Sequence, residues 1–415
     1  MNLLVLTPLV PYPPHDGDKL RLYHFLEQLK KRGHRIDLFC LTRAKEDLRP
    51  SAALLRLCRR VHVERLSRAD LLFNALGALM TSRSMNVFSY FSPRFRDALR
   101  AYAASPEGAR VDRVLAHRLR MAPYAFGDGP ARPVVLELTD SMSLVSSLLR
   151  DTRGIRASRR VASFWDKGIL DGEEVRWVSR SSASVLVSPV DAEHLRSRGA
   201  APDKLHVVPN GLDFSSGTGP RPREYGRGVP VAAFVGNMGY PPNEDGALWF
   251  LAKVWPLLKR KFPDAVFVAA GGRPRRALGR KDNGTDVRVT GTVPSIEPYV
   301  RNADLTVAPL RVASGMQNKV ALSLAMGVPV VATPGAVSWL PPDVRKGILQ
   351  AQDPEGFAEA AKAVLARPGR ARSAARKAGA FIRRTYRWDK AGAALNKILR
   401  DAVSHRASSG RTLIS

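Results

Sequence analysis

From end to end the chain alternates short, β-branched apolar runs with longer stretches in which apolar residues recur every three or four positions. Short apolar runs read as buried strands, and the three-to-four period reads as helices with one covered face. Regular alternation of the two is the mark of parallel sheets joined by crossover helices. The first half offers NLLVLT (2–7), RIDLFCLT (35–42), VHVERL (61–66), RVLAH (113–117), PVVLELTD (133–140), SVLVSP (184–189) and LHVVPN (205–210). The clearest helical pattern is GDKLRLYHFLEQLKKRGH. It puts Leu22, Phe25, Leu26 and Leu29 on one face and Gly33 where it ends.

A Gly/Pro-rich stretch, SSGTGPRPREYGRGVP (215–230), interrupts the pattern and reads as a linker. The alternation then restarts with VAAFVGN (231–237), AVFVAAGG (265–272), DVRVTGTV (286–293), DLTVAPL (304–310), VPVVATPG (328–335) and GILQ (347–350). The expected division is an N-terminal α/β domain over 1–210, a linker over 211–230 and a second α/β domain over 231–387. A closing helix over 388–404 and a disordered polar tail over 405–415 follow.

A length of 415 residues agrees with two or three domains at roughly 150 residues each. Composition, at 45% hydrophobic and 25% charged, is that of an ordinary globular protein and excludes collagenous, disordered and disulfide-built classes. Two cysteines, Cys40 and Cys58, cannot make a disulfide framework or a four-ligand zinc site. Net charge changes the picture more. Sixty-six Lys and Arg against 37 Asp and Glu leave +29, a field that attracts nucleic acid, anionic lipid or phosphorylated small molecules without choosing among them. No run of 18 apolar residues predicts a membrane-spanning helix, and the opening MNLLVLTPLVPYPP reads as a strand rather than a secretory signal. A cytoplasmic protein is expected, with the inner membrane surface as a further location. ADLLFNALGALM (69–80) is strongly apolar between Arg68 and Arg83; burial is the expected state, and an interfacial helix is the alternative. The basic run 367–387 sits on a helical pattern and reads as a solvated face.

In open α/β sheets ligands bind outside the carboxyl ends of the strands. Neither a G-x-G-x-x-G nor a P-loop is present, and no H-E-x-x-H, Cys/His cluster or G-x-S-x-G points to metal or serine hydrolase chemistry. The informative window is APLRVASGMQNKVALSLAMGVPVVATPG (308–335). A strand ends at Leu310, a turn carries Ser314 and Gly315, and a helix opens through Gln317, Asn318 and Lys319. Glycine permits close approach to the backbone, helix-start amides attract anions, and Arg311 and Lys319 add positive charge. Taken as pattern alone, this is either a diphosphate site or a helix cap with two solvated cations.

The string from Gly315 to Thr333, G-M-Q-N-K-V-A-L-S-L-A-M-G-V-P-V-V-A-T, resembles the donor-binding turn of family-4 glycosyltransferases of the two-domain GT-B fold. Its likeness is nearest to the sugar transferases associated with PEP-CTERM/exosortase exopolysaccharide loci. Further stretches match in order: residues 6–34, KLHVVPNGLDF (204–214), AFVGNMGYPPNEDGALWF (233–250) and VTGTVPSIEPYVRNADLTVAPL (289–310). The resemblance implies two facing Rossmann-like α/β/α domains, an acceptor-side N-terminal one and a nucleotide-sugar-binding C-terminal one, with an interdomain cleft. It implies a retaining transfer of sugar from a nucleotide diphosphate to an acceptor hydroxyl, with no cofactor and no metal. Carried over, His117, Arg311 and Lys319 take catalytic roles, with Arg311 and Lys319 on the diphosphate and His117 on the donor sugar. Gly17, Val293, Ser314, Gly315, Met316 and Leu322 line the donor, and Asp18 and Asp140 stand on the acceptor side. The family usually carries a ribose-binding glutamate where this chain has Leu322, and many relatives have its partner where Ser314 stands.

These readings lead to a hexosyltransferase-type enzyme that builds polysaccharide, lipid-linked or small-molecule glycosides. Its expected partners are a nucleotide-sugar donor, a hydroxyl-bearing acceptor and an anionic membrane surface, with nucleic acid not expected. The alternatives are a catalytically degenerate GT-B protein that binds a partner or a carbohydrate, and a nucleotide-sugar epimerase.

Overall fold

A computed structural model of the chain describes residues 1–14, 17–43, 48–81, 83–151, 166, 168–213, 222–225 and 228–402. The expected tail (405–415) and part of the expected linker lie outside the described residues. The chain divides into two compact units. One takes the described residues of 1–150, 156–211 and 388 onward, and the other Asp151 and those of 212–387.

The first unit is built on seven strands: β1 (Asn2–Thr7), β2 (Arg35–Thr42), β3 (Arg60–Arg65), β4 (Arg113–His117), β5 (Val134–Thr139), β6 (Ala183–Leu186) and β7 (Leu205–Val207). Their order is β3-β2-β1-β4-β5-β6-β7, and every pair is parallel. In β1, Val5 lies level with Leu38 of β2 and Leu115 of β4. Side chains alternate across the sheet, so both faces must be covered for so apolar a strand. Leu4 and Leu6 join Phe39, Leu41 and Phe95 in one apolar cluster, while Leu3 and Val5 join Leu22, Phe25, Leu26 and Leu29 in another. The helix Gly17–Lys31 supplies that second face, as its period predicts.

The last described helix, Trp388–Asp401, belongs to this same face. The Trp388 ring stacks on His24 at 4.4 Å, His34 Nε2 meets Asn396 Oδ1 at 2.7 Å, and Arg32 donates to the Asp389 carbonyl at 2.8 Å. Leu395 and Leu399 are fully buried.

Burial of residues 69–80, the expected state, is not what the structure shows. They form the helix Arg68–Met80, started by a capping box between Ser67 and Asp70, and Leu72, Phe73, Leu76 and Met80 are 65%, 71%, 52% and 87% exposed. The cover available is too small: one side, through Asn74 and Ala78, packs under residues 84–91, with Asn74 Nδ2 donating to the Phe91 carbonyl at 2.6 Å. The opposite side is left to solvent. No helix among the described residues is long and apolar enough to cross a membrane.

The second unit has six strands: β8 (Val231–Val235), β9 (Val266–Ala270), β10 (Val287–Gly291), β11 (Leu305–Ala308), β12 (Val330–Ala332) and β13 (Leu349–Gln350). They run parallel in the order β10-β9-β8-β11-β12-β13. Within the segment read as a linker, Tyr225 is fully buried in this unit's core and its hydroxyl donates to the Tyr299 carbonyl, so these residues are not all tether. The basic run forms the helix Pro368–Thr385, which buries Ala375, Ala378, Gly379 and Ile382.

Strand order reverses between β1 and β4 in the first sheet and between β8 and β11 in the second. At such a switch point the flanking crossovers leave in opposite directions, and a crevice opens at the carboxyl ends of the strands.

Candidate active site

The switch point of the second unit gathers the turn after β8, the turn after β9 and the loop from β11 to the helix Asn318–Ala325. Gly236 and Gly271 bring the first two turns into contact. A Cβ on Gly271, whose φ is +140°, would stand 1.9 Å from the Gly236 carbonyl oxygen, so only glycine fits. Gly315 takes φ +63° in the third segment, a left-handed turn that lets the chain reverse into the helix. Gln317 occupies the N-cap without a side-chain capping bond; its amide instead donates to the Ser314 carbonyl at 2.9 Å. The start of this helix therefore carries positive dipole charge unopposed by a capping oxygen.

Lys319 lies in the first turn of that helix. Its Nζ donates to Asn243 Oδ1 at 2.9 Å and to Gln317 Oε1 at 3.3 Å, and stands 5.6 Å from the centre of the Phe234 ring. Asn243, from the helix Pro241–Trp249, is fixed in turn by donating to the Asn237 carbonyl at 2.8 Å. Among the described residues no carboxylate pairs with Lys319. Desolvation without a counter-charge pulls its pKa down to about 8.

Arg311 is differently placed. The sequence reads it as a second full positive charge on the loop, but Asp245 takes it in a two-pronged ion pair through Nε and Nη2. Charge reading from sequence missed this because Asp245 stands 66 positions away, on a different helix. Met316 is nearly buried beside Gly315, and Ser314 contributes its carbonyl, which accepts from the Gln317 amide. Val293 and Leu322 come together in one apolar cluster with Tyr299 and Met326; Leu322 is 8% exposed.

The switch point of the first unit holds the remaining predicted residues. Gly17 is exposed at the head of its helix, and Asp18 sits in the first turn. Arg118, one residue past β4 and at φ +69°, donates to both Asp18 and Asp140. Burial works to raise the Asp18 carboxyl, but the Arg118 guanidinium outweighs it and holds the pKa below its usual range. Asp18 and Asp140, the carboxylates expected on the acceptor side, are therefore both engaged by one arginine that the sequence pattern does not single out.

His117 is fully buried, with Nδ1 on Glu137 and with Nε2 lacking a hydrogen-bond partner among the described residues. Glu137 also accepts from Arg21 Nε at 2.8 Å and from the Thr139 amide at 3.0 Å. Arg21 in turn donates to the Val208 carbonyl and to Asn210 Oδ1 at 2.9 and 2.8 Å. Burial would raise the Glu137 pKa, yet Arg21 and His117 overrule it and drive it far below the carboxylate range. This trio was findable. A glutamate in the middle of the buried run VVLELT must be paired, because an isolated buried carboxylate is too costly.

Residues 229–367, most of the second unit, match the family described as "Glycosyl transferases group 1". A D-inositol 3-phosphate glycosyltransferase of Xylanimonas cellulosilytica is 30% identical over 264 residues; that match spans 58% of this chain and 61% of the relative. Among solved structures, sucrose-phosphate synthase from Thermosynechococcus elongatus superposes with a TM-score of 0.70 at 16% identity, covering 96% of this chain and 98% of that one. The Anabaena protein HepE in complex with UDP-glucose gives 0.64 at 15% identity, covering 96% and 99%. At such identities the likeness is one of fold: two parallel-sheet α/β domains of the GT-B type.

Proposed function

We propose that the protein is a glycosyltransferase that moves a sugar from a nucleotide-diphosphate donor to an acceptor hydroxyl with retention at the anomeric carbon. Lys319 carries the reading. It is a half-buried cation that pairs with no carboxylate among the described residues, at the head of a helix with no side-chain cap, at the carboxyl edge of a switch point. A diphosphate offsets all three features at once. HepE, which shares the fold, was solved with UDP-glucose, a donor of this chemical class. Gly315 and Met316 offer the backbone around the phosphates, and Val293 and Leu322 an apolar wall for the nucleoside. Arg311 serves the diphosphate once it exchanges Asp245 for a phosphate oxygen. In the transfer, the anomeric C–O bond to the diphosphate breaks and a C–O bond to the acceptor oxygen forms. The acceptor's proton leaves with the diphosphate. Positive charge at Lys319 and the helix start stabilises the departing oxygens without a bound metal.

Calorimetric titration with UDP, GDP, ADP and dTDP, without metal, tests the donor site. Saturable binding of one of them that is weakened in Lys319→Ala is expected, and no binding at millimolar concentration overturns the reading. A second reading, a binding protein without turnover, draws on Leu322. An apolar side chain stands where the resembling enzymes hold the ribose with a glutamate. Release of sugar from the donor that binds, in the presence of candidate acceptors, separates the two.

The exposed face of the helix Arg68–Met80 supports work at an anionic membrane surface. Four large apolar side chains stand in solvent beside the exposed Arg83, on a chain of net charge +29. That placement fits a lipid-linked or exopolysaccharide acceptor assembled on the cytoplasmic side.

A further inference from the structure

Beside the Asp18–Arg118–Asp140 bridge, two more guanidinium groups converge on a single aromatic ring. The guanidinium carbons of Arg43 and Arg120 each lie 4.5 Å from the centre of the Tyr90 ring. Arg43 directly follows β2, and Arg120 lies just past β4. Those strands flank β1 in the sheet, so both arginines reach the switch point from opposite sides of it. Arg120 is fixed by donating from Nε to the Asn86 carbonyl at 3.0 Å, while Arg43 is exposed.

Three guanidinium groups meet here. Arg118 engages both Asp18 and Asp140, and the buried Asp191 carboxyl acts on Arg118 and Asp140 from beyond hydrogen-bond reach, so the ion pairs gather around Arg118. Among the described residues neither Arg43 nor Arg120 pairs with a carboxylate. Burial, followed by the like charges of Arg118 and Arg43, depresses the Arg120 pKa, which marks a cation held in an unfavourable field. Arg118, itself 9% exposed, keeps a buried Nε without a hydrogen-bond partner among the described residues. Stacking on Tyr90 holds like charges together at a modest gain that an added anion would exceed. Two planar forks close enough to act on each other suit a tetrahedral dianion better than a carboxylate, which one fork can satisfy.

We propose that Arg43 and Arg120, set on Tyr90, form a site for a phosphoryl group carried by the acceptor. The proposal rests on the glycosyltransferase reading above and adds the acceptor's chemical class to it. Asp18 lies beside the site and limits it to ligands with enough charge to outweigh one carboxylate. The phosphate can be that of a water-soluble monoester or of a lipid headgroup. The second source is open because Asn86 belongs to the short helix Met85–Phe88, on which the apolar helix Arg68–Met80 packs through Phe88 and Gly77.

The test titrates the full chain with glycerol 3-phosphate and, separately, with vesicles of phosphatidylcholine with and without phosphatidic acid. The expected result is binding that Arg43→Gln and Arg120→Gln each weaken by about tenfold or more. Lys319→Ala should leave that binding in place. Dependence on the two arginines with glycerol 3-phosphate assigns a soluble acceptor; dependence only with phosphatidic acid vesicles assigns a lipid one. Binding that ignores both arginines, binding abolished by Lys319→Ala, or no binding to either probe overturns the proposal. Arg43 is exposed, so Arg43→Gln keeps the test informative if Arg120→Gln fails to fold. UDP titration of the same variants keeps the two readings apart. Failure of the donor site shows as lost UDP binding in the unaltered chain, whatever the monoester does.

Discussion

Lys319 and Asn243 meet at 2.9 Å, an ammonium on a neutral amide oxygen where a carboxylate would be the usual buried partner. The amide orients the lysine without neutralising it, so its charge stays available to a ligand. Lys319→Ala should weaken nucleoside diphosphate binding by about 10- to 150-fold, the worth of one charge-assisted hydrogen bond. Asn243→Ala should cost less, because the charge remains. Isothermal titration of both variants measures the difference.

The same lysine sets a pH dependence. Its pKa is pulled down to about 8, from 10.5 for a free lysine, so the unliganded site loses its charge as pH rises through about 8. A bound diphosphate favours the protonated form. Affinity should therefore be highest below about pH 8 and fall above it, with protons taken up on binding in that range. Lys319→Arg, always charged, should flatten the profile in titrations between pH 7 and 9.5.

Glu137 holds Arg21 and His117 in a fully buried trio. Removing its charge leaves a buried guanidinium without its partner, and Glu137→Gln should destabilise the first unit by about 3–5 kcal/mol. Denaturant unfolding reads this. Arg21→Met with Glu137→Leu should recover much of the loss, since apolar replacement of both partners removes the uncompensated charge.

Gly271→Ala should damage the second unit's switch point from a distance. Its Cβ would overlap the Gly236 carbonyl oxygen, backbone against backbone, with no side chain able to yield. A cost of about 1–3 kcal/mol or more is expected, with weakened diphosphate binding because the turn after β8 must shift. Thermal melting and titration together distinguish this from a local loss of contact.

On the exposed helix, Leu72→Ser with Phe73→Ser should reduce sedimentation with anionic vesicles and leave the melting temperature nearly unchanged, since both side chains are already in solvent. A variant that sediments like the parent would show that this face does not meet lipid.

The thirteen described strands were legible from their apolar residues, most plainly the inner ones, which a parallel sheet covers on both faces; the edge strands β3, β7 and β13 are half-buried or exposed and gave shorter or more polar runs. The loop of Gly315 and Lys319 was legible because its chemistry is local in sequence. What escaped was long-range. Asp245 on Arg311, Arg118 on Asp18 and Asp140, and the meeting of Arg43 with Arg120 over Tyr90 join residues from separate elements. Among 66 basic residues none of them stands out by type. Residues 69–80 misled for a different reason: apolar content announces that a helix wants cover but does not say whether the fold provides it.

The helix Trp388–Asp401 finishes the face of a sheet whose first strand is made at the very start of the chain. Residues 212–387 lie between them in the sequence and fold as a unit of their own. On the ribosome the order of completion is therefore inverted: the second unit is whole while the first still waits for its closing helix. Until then Phe25 and Leu29 lack the cover that Trp388 and Leu395 later bring, a span of synthesis in which a chaperone would find its target.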